Sequence, residues 1–377
     1  MTQSVSSKSI QSLAASKLIG ALPAVSGAAL TNVSAGVYNN TSDPVVNSNR
    51  DLGTLWANSV SGNLFLCINA TTDNNIWENI GGGSYNIATA AFGGNGPGSV
   101  SGYNAGAEGP GANIIAKYSY TSNANATDHG DLTQNSLGPA GVSSSTHGYA
   151  CGGSDTPSRF KIDKFTFGSN SNASNIGTLK VYRIHPSGQS STTHGYVTGG
   201  NDTTKQIDRF NFASDGDSIN LGDMYKVENG GGAAGHSSNS NGYMAGGTAG
   251  STIQKFSFWG DSASTNVGNM TIARQYCAAH SSTTHGYTSG GYSPDRLNNI
   301  DKFSFSSDGN ATDVGNLTIG RSHLTGSSST ASGYTCGGHN GSASQNVIDK
   351  FSFSSDGNST DVGDLTQLGY QSAGMQV

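Results

Sequence analysis

The sequence predicts an all-β protein: a six-bladed β-propeller preceded by a small β module and an extended or short-helical N-terminal docking segment. Three observations support this prediction. A unit of 44 to 47 residues recurs along most of the chain, each unit holds four candidate strands, and 55 of the 377 residues are glycine. Short strands in fours, repeated at this period, are typical of propeller blades. The units begin at Gly102, Gly148, Gly195, Gly242, Gly286 and Gly333.

Composition restricts the partners that the chain can have. Charged residues are 11% of the chain and the net charge is −6. This balance leaves no basic surface for nucleic acid. No run of 18 apolar residues and no signal-peptide core occurs, so we expect neither membrane insertion nor export through a signal peptide.

Residues 1–36 are rich in serine, alanine and glycine, with Ile10, Leu13 and Leu18 as a weak helical stripe. Such a segment cannot bury enough apolar surface to fold alone. It is therefore predicted to dock on other proteins or on sister chains, and the alternative is a tail held by contacts within the chain.

Residues 37–83 differ in composition from the segment before them and are predicted to form a small β module. The stretches LGTLWAN and NLFLCIN are predicted strands joined by a turn at Ser61 and Gly62, and NIWENI is a third strand. Trp56, Phe65 and Trp77 are predicted to form its core, although aromatic rings can also stack on a sugar. Three glycines then mark a boundary, and residues 84–377 are predicted to form the propeller.

The repeat is clearest near Gly333, where a weak strand in HLTGSSST precedes GYTCGG, IDKFSF and TDVGDL. The tyrosine is predicted to fill the space between blades, and the paired glycines allow close backbone approach. In IDKFSF, alternation places Phe303 and Phe305 on one face and Ile300 with Lys302 on the other. The Asp-Gly pair in SDGN predicts a hairpin turn with positive φ. The C-terminal LGYQSAGMQV is predicted to supply the strand that closes the ring onto the first blade.

These motifs make the unit resemble a kelch repeat, and the resemblance covers Gly102 to Leu365. The fourth-strand tryptophan of many kelch units is replaced by Val267, Val314 and Val362, or by Ile176 and Leu221, which affects the expected packing but not the fold. The matching residues are Gly333, Tyr334, Gly337, Gly338, Phe351 and Phe353.

The whole layout is similar to tail-fibre and appendage proteins of bacteriophages, especially those of marine cyanobacteria. The similarity lies in LPAVSGAALTNV, in the LGTLWAN, SGNLFLC and WENIGGG module, and in the glycine-rich β array. It implies a virion location, an N-terminal part that docks on the particle, and a distal part that meets the host surface, commonly as a homotrimer.

Catalysis is not predicted, although galactose oxidase is a kelch-type copper enzyme. His147, His194 and His285 each sit just before a Gly-Tyr pair, and this periodic placement favours a role in a turn over metal binding. Asp163, Asp208, Asp301 and Asp349 are periodic as well, so no carboxylate pair for glycan hydrolysis stands out.

Metal binding is also not expected, and no cofactor is predicted. Asp308, Asn310 and Asp313 lack the spacing of a calcium loop. The four cysteines, Cys67, Cys151, Cys277 and Cys336, lack zinc-ligand spacing and are predicted to be buried small residues.

Candidate binding residues lie where the repeats differ, in the loops after each Gly-Gly pair. These loops are predicted to emerge on one face of the disc and to contact saccharide or peptide, the alternative being plain solvated connections. The candidates are Asp155, Arg159, Asp202, Lys205, Tyr292, Asp295, Arg296, His339 and Asn340.

The sequence thus predicts a structural protein of the phage virion, a tail fibre or other appendage. It would dock on other virion proteins through its N-terminus and present the propeller to host-surface polysaccharide. Two alternatives stay open: a head or collar decoration whose propeller packs on other virion proteins, and a glycan-active depolymerase or oxidase.

Overall fold

The computed structural model describes most of the repeat region and part of the sequence before it. The described residues are 37–40, 42–45, 47–48, 50–51, 54–58, 64–72, 76–81, 100–108, 112–154, 160–200, 205–225, 231–248, 250–260 and 263–377. The predicted docking segment 1–36 and the predicted boundary at Gly83 lie outside them. The chain forms two compact units, Met1–Ala90 and Ala91–Val377. Throughout the described parts the protein is all-β, and no helix there is long and apolar enough to cross a membrane.

The first unit contains a four-stranded sheet with strands β1 (Val37–Asn40), β2 (Leu55–Asn58), β3 (Leu64–Asn69) and β4 (Ile76–Gly81), in that order. The three predicted strands are confirmed. β1 was not predicted, and it pairs parallel to β2. Trp56 is buried, and its indole N–H donates to the Ser42 carbonyl at 2.8 Å. Its ring meets Trp77 edge-on at 5.5 Å, so these two predicted core aromatics do pack together.

The described residues of the second unit form six four-stranded antiparallel sheets. Sheet 1 contains β5 (Ser101–Ala105), β6 (Ile114–Ser119), β7 (Thr127–Asp131) and the C-terminal β28 (Ala373–Gln376); sheet 2 contains β8 (Ala140–Ser143), β9 (His147–Cys151), β10 (Lys161–Thr166) and β11 (Ser174–Thr178); sheet 3 contains β12 (Ser187–Ser190), β13 (His194–Thr198), β14 (Gln206–Asn211) and β15 (Ile219–Asp223). Sheet 4 contains β16 (Ala234–Ser237), β17 (Asn241–Ala245), β18 (Thr252–Ser257) and β19 (Thr265–Asn269); sheet 5 contains β20 (Ala278–Ser281), β21 (His285–Ser289), β22 (Asn299–Ser304) and β23 (Thr312–Asn316); sheet 6 contains β24 (Thr325–Ser328), β25 (Ser332–Cys336), β26 (Val347–Ser352) and β27 (Thr360–Asp364).

The first and last described strands of the second unit, β5 and β28, lie side by side in one sheet. The predicted last strand forms, and Ala373 to Gln376 pair antiparallel with Ala105 to Gly102. The first strands of the sheets touch in the order β8, β12, β16, β20, β24, β28, and β28 touches β8 again. They approach so closely that a Cβ at Gly188 would lie 2.0 Å from the Gly141 carbonyl oxygen. Glycine is therefore required at that position.

The repeated tyrosine fills the space between neighbouring sheets, as predicted. Tyr196 of β13 is buried and stacks on Phe258, with ring centroids 4.7 Å apart. Its hydroxyl donates to the Phe258 carbonyl at 3.2 Å. The ring thus contributes apolar area while its polar end is satisfied. Equivalent tyrosines that are also buried are Tyr149, Tyr243, Tyr287 and Tyr334.

The third strand of each sheet packs on both neighbours, because its two faces carry different apolar residues. In β22, Ile300 packs with Tyr287, Leu317 and Phe351. Phe303 on the other face packs with Tyr243 in the preceding sheet. The alternation read from IDKFSF is confirmed, and the cores lie between sheets.

The periodic aspartates of the third strand accept hydrogen bonds from the connection that enters their sheet. Thr271 donates its N–H to Asp301 at 2.8 Å, and its hydroxyl does so at 2.7 Å. Arg274 also pairs with Asp301 at 2.7 Å, and both side chains are fully buried. Arg183 with Asp208 and Arg321 with Asp349 repeat this buried pair. The sequence analysis did not predict the arginine partners of these aspartates.

The Asp-Gly prediction is confirmed only in part: the flanking strands pair as hairpins and Gly216 and Gly357 have positive φ, at 156° and 158°, but the connection is longer than a two-residue turn. The connection between β22 and β23 spans residues 305–311, and Gly309 does not adopt a left-handed φ. The loop instead reaches the preceding sheet, where the Asn310 side-chain oxygen accepts from the Asn269 N–H at 3.0 Å. Asp308 pairs there with Lys255 at 2.5 Å. The polar loop is longer than a two-residue turn because it bridges two sheets.

A main-chain hydrogen bond accompanies this loop at every junction between sheets, including that of sheet 6 with sheet 1. We call this contact the clasp. Its donor and acceptor pairs are Ala126 with Asp364, Ala173 with Asp131, Ser218 with Thr178, Ser264 with Asp223, Ala311 with Asn269, and Ser359 with Asn316.

Candidate binding pocket at the connections between sheets

The predicted binding residues fall into three groups. Asp155, Arg159 and Asp202 lie outside the described residues. Lys205 is exposed just before β14. The others occupy the connection from β21 to β22 (Tyr292, Asp295 and Arg296) and the connection from β25 to β26 (His339 and Asn340).

The structure brings these last two connections into contact. The Arg296 guanidinium lies 5.2 Å from the centre of the Tyr292 ring, and Gly341 of the second loop packs against the Arg296 side chain. His339 exchanges two main-chain hydrogen bonds with Ser322, at 2.9 and 3.1 Å. The predicted residues of sheets 5 and 6 therefore share one surface with the connection that contains Ser322.

A second set of residues, absent from the sequence prediction, lies in the connections that lead from one sheet to the next. Each connection places a residue in the left-handed region at an equivalent position, with φ between 52° and 71°. Two of the six are glycine, and the other four have large side chains. The six residues are Gly138, His185, Gly232, Tyr276, His323 and Gln371.

Main-chain hydrogen bonds join these residues head to tail, and we call this arrangement the peptide belt. The N–H donates to the next carbonyl in these pairs: Gly138 to Gln371 at 2.6 Å, Gln371 to His323 at 2.9 Å, His323 to Tyr276 at 2.8 Å, Tyr276 to Gly232 at 2.6 Å, and Gly232 to His185 at 2.9 Å. The belt accounts for the backbone conformation, since these bonds satisfy polar groups that would otherwise lack partners.

The belt does not account for the side chains. A non-glycine residue in the left-handed region costs about 1 to 2 kcal/mol, and glycine does not incur that cost. Gly138 and Gly232 make the same belt bonds without a side chain. At the other four positions large side chains are kept where glycine would suffice for the backbone, and such positions often serve a function.

Aromatic and imidazole rings form a continuous cluster above the belt. Tyr276 and His323 stack with centroids 3.8 Å apart, and His185 meets Tyr276 edge-on at 5.4 Å. Tyr370 lies 5.8 Å from His323 and 5.5 Å from His339. The cluster therefore extends from the belt to the predicted loop of sheet 6.

The two belt imidazoles are neutral at neutral pH. Burial lowers the pKa of His323 to about 3, and the neighbouring His185, Arg296 and His339 act in the same direction. Burial also lowers the pKa of His185, against an opposing effect of Glu108. A hydrogen bond with the Glu108 carboxylate, together with burial, raises the pKa of Tyr370 to about 12. A neutral imidazole offers one donor and one acceptor, which suits an uncharged polar partner.

A pocket of about 70 Å³ opens at the belt and is lined by residues of all six connections, among them His185, Tyr276, His323 and Gln371. The Gln371 side-chain oxygen is buried and lacks a hydrogen-bond partner among the described residues. A buried acceptor without a partner is unfavourable, so this atom is a ready site for a donor. A metal is a poor candidate, because no three His, Cys, Asp or Glu side chains converge in the described parts of the chain.

Three histidines lie in the turns where the sequence predicted them, and the cysteines are buried, as predicted. His147 lies at the turn before Gly-Tyr, where its main-chain N–H donates to the Ser144 hydroxyl at 3.0 Å, and His194 and His285 repeat this contact. All four cysteines are buried, and no disulfide forms among the described residues. Their positions favour packing over chemistry.

Sequence reasoning missed the pocket because its residues fall between the repeated motifs. The available signal was one position, shortly before each first strand, at which glycine alternates with histidine, tyrosine and glutamine. Comparison with known proteins finds no protein-family model that matches this chain and no curated protein that matches it.

Proposed function

We propose that the second unit is a six-bladed kelch-like β-propeller closed by β28. The cyclic order of contacts among the first strands supports this, since β28 touches both β24 and β8. The clasp at all six junctions and the peptide belt support it as well. Closure of this kind packs each blade between two neighbours and leaves only short outer edge strands.

We further propose that the chain is a structural protein of a phage virion, a tail fibre or other appendage, that recognises a host-surface saccharide and performs no catalysis. It would dock on other virion proteins through its N-terminal segment and assemble as a homotrimer. The resemblance of the sequence layout to such appendages supports the location. Three linked copies would add avidity to weak individual sites.

One observation carries the recognition role: the six connections converge on a single pocket lined by neutral imidazole and aromatic side chains, beside the predicted loops of sheets 5 and 6. Saccharides present hydroxyl groups together with apolar ring faces. Aromatic surfaces with a few placed polar groups are suited to bind both.

A glycan array probed with the labelled full chain tests this role. We expect binding to a subset of glycans, and we expect the double variant Arg296→Ala/His339→Ala to lose at least tenfold in affinity. Trp259→Ser is the matched control, because Trp259 is exposed on the connection from β18 to β19, away from the pocket, and serine stands at the same position in sheets 5 and 6. Failure of the native chain to bind any glycan or to compete with particles for host cells would refute the proposal.

A further inference from the structure

The peptide belt separates what the backbone needs from what the side chains add. Gly138 and Gly232 show that glycine serves the backbone at two of six equivalent positions. Histidine, tyrosine and glutamine occupy the rest in a conformation that disfavours them. Their side chains therefore have a role apart from the fold, and all four line the same pocket.

The polar atoms in the pocket indicate the chemistry of its ligand. The Gln371 side-chain oxygen is a buried acceptor that needs a hydroxyl or N–H donor. The His185 imidazole provides one acceptor and one donor, whereas the His323 Nδ1 already shares a hydrogen bond with the Ser322 hydroxyl at 3.1 Å, so that its Nε2 is the nitrogen that can meet a ligand. Tyr276 adds an aromatic edge beside His323. Among the described residues, the lining of the pocket contains no carboxylate, lysine or arginine, so a charged ligand would meet no counter-charge from them in direct contact.

The size of the pocket limits how much of a ligand can enter. A cavity of about 70 Å³ is well below the volume that holds a drug-sized molecule. It has room for the hydroxyl-bearing edge of one sugar ring, with the rest of a glycan directed toward the loops of Arg296 and His339.

We infer that the belt pocket binds the hydroxyl edge of a single uncharged pyranose, the Gln371 carbonyl accepting from one hydroxyl and His185 and His323 bonding its neighbours. This inference rests on the proposed saccharide recognition and names the subsite that would read the terminal sugar. The loops of sheets 5 and 6 would then contact the following residues of the glycan.

The test is saturation-transfer NMR of the full chain with the methyl glycosides of glucose, galactose, mannose and N-acetylglucosamine, followed by affinity measurements on His323→Gly and Gln371→Gly. Both variants keep a backbone that glycine already adopts at Gly138. We expect at least a tenfold loss of affinity with an unchanged or raised melting temperature. Leu368→Ala is the control, because Leu368 is 60% exposed on the connection that contains Gln371 but does not line the pocket.

A second variant covers the case in which the glycine variants fail to fold. Gln371→Met keeps the length of the side chain and the backbone of the native residue but removes the carbonyl acceptor, and we expect the same tenfold loss. Affinity equal to that of the native chain in Gln371→Met, or no signal from any of the four glycosides, would overturn the pocket assignment.

The two proposals can fail separately. Array binding that is lost in Arg296→Ala/His339→Ala but retained in His323→Gly and Gln371→Gly would overturn the pocket and leave recognition by the loops. Binding of a free glycoside that depends on Gln371, from a chain that binds no array glycan and no host cell, would support the pocket and refute the proposed surface recognition.

Discussion

The imidazole of His236 in sheet 4 donates from Nδ1 to the main-chain carbonyl of His280 in sheet 5, at 3.1 Å. Its Nε2 accepts from the Thr288 hydroxyl at 3.0 Å. His280 repeats the arrangement one sheet further, with Nδ1 donating to the Ser327 carbonyl at 3.0 Å. Both rings are fully buried, so each neutral imidazole links neighbouring first strands.

These two histidines predict loss of stability in mild acid. Burial lowers the pKa of His236 to about 3 and that of His280 to about 4. The unfolded chain binds protons below pH 6.5 while the folded protein does not, so stability is complete above that pH and falls as the pH is lowered toward 4. We expect each histidine to remove about 2 kcal/mol from the free energy of unfolding at pH 5. Urea denaturation at pH 7.5 and pH 5 measures this.

The chain supplies a matched replacement for that experiment. Gln189 takes the same position in sheet 3, where its amide donates to the Thr198 hydroxyl at 2.9 Å and to the Tyr243 carbonyl at 3.2 Å. His236→Gln/His280→Gln should therefore fold and should lose less stability between pH 7.5 and pH 5. The same acid dependence in the double variant would refute the assignment.

Removing one partner of a buried ion pair should destabilise the protein strongly. In Asp301→Ala the Arg274 guanidinium would be left buried without its counter-charge, and Thr271 would lose its acceptor. We expect a loss of about 3 to 5 kcal/mol in the free energy of unfolding. Arg274→Met/Asp301→Ala should recover part of it, because the charge is removed with its partner. A double variant less stable than Asp301→Ala would contradict this account.

Two glycines in contact at one clasp should differ in tolerance. A Cβ at Gly268 would lie 2.0 Å from the Gly309 carbonyl oxygen, whereas a Cβ at Gly309 would meet no heavy atom within 4 Å. We therefore expect Gly268→Ala to cost about 2 kcal/mol or more, and Gly309→Ala to change stability by about 0.5 kcal/mol or less. Thermal denaturation of the two variants measures this difference. Equal melting temperatures would contradict the prediction and show that the backbone at the clasp can move to make room for a Cβ at Gly268.

The N-terminal segment should be needed for assembly. Residues 1–36 are the proposed docking and trimer-forming part, so the full chain should be trimeric and the chain lacking these residues monomeric. Light scattering or native mass spectrometry of both chains measures this. A trimer that survives the truncation would place the oligomer contacts elsewhere.

Much of the fold was predictable because it is repeated. Gly-Tyr, Gly-Gly and Phe-x-Phe recur with fixed spacing, and the tyrosine of the first motif fills a junction, as Tyr196 does. The close approach at Gly188 of β12 lies outside these motifs and was not predicted. Strand β1 was not predictable from pattern, since four residues of VYNN have no distinctive alternation and pair with β2 across an intervening segment.

The candidate site was predictable only in part. Arg296 and His339 were found because their loops vary between repeats, but their contact through Gly341 depends on how sheets 5 and 6 are placed. The Asp-Gly pair predicted a local turn, but the residues around it also contact the preceding sheet, where Asp308 pairs with Lys255. Local rules could not distinguish these cases, because the deciding hydrogen bonds join residues about forty positions apart.

The sequence by itself determined the all-β class, the four strands of each unit, the pairing of the C-terminal strand with β5, and the burial of the repeated tyrosines and cysteines. These features follow from the repeat period, from the alternation of apolar and polar residues along each strand, and from the placement of glycine, all of which can be read directly from the sequence. Only the tertiary structure decided that six distant connections form one peptide belt and that His185, Tyr276, His323 and Gln371 line one pocket. The physical reason is that the N–H of the left-handed residue in one connection donates to a carbonyl of the neighbouring connection. The two groups come within hydrogen-bond distance only after the sheets have packed together.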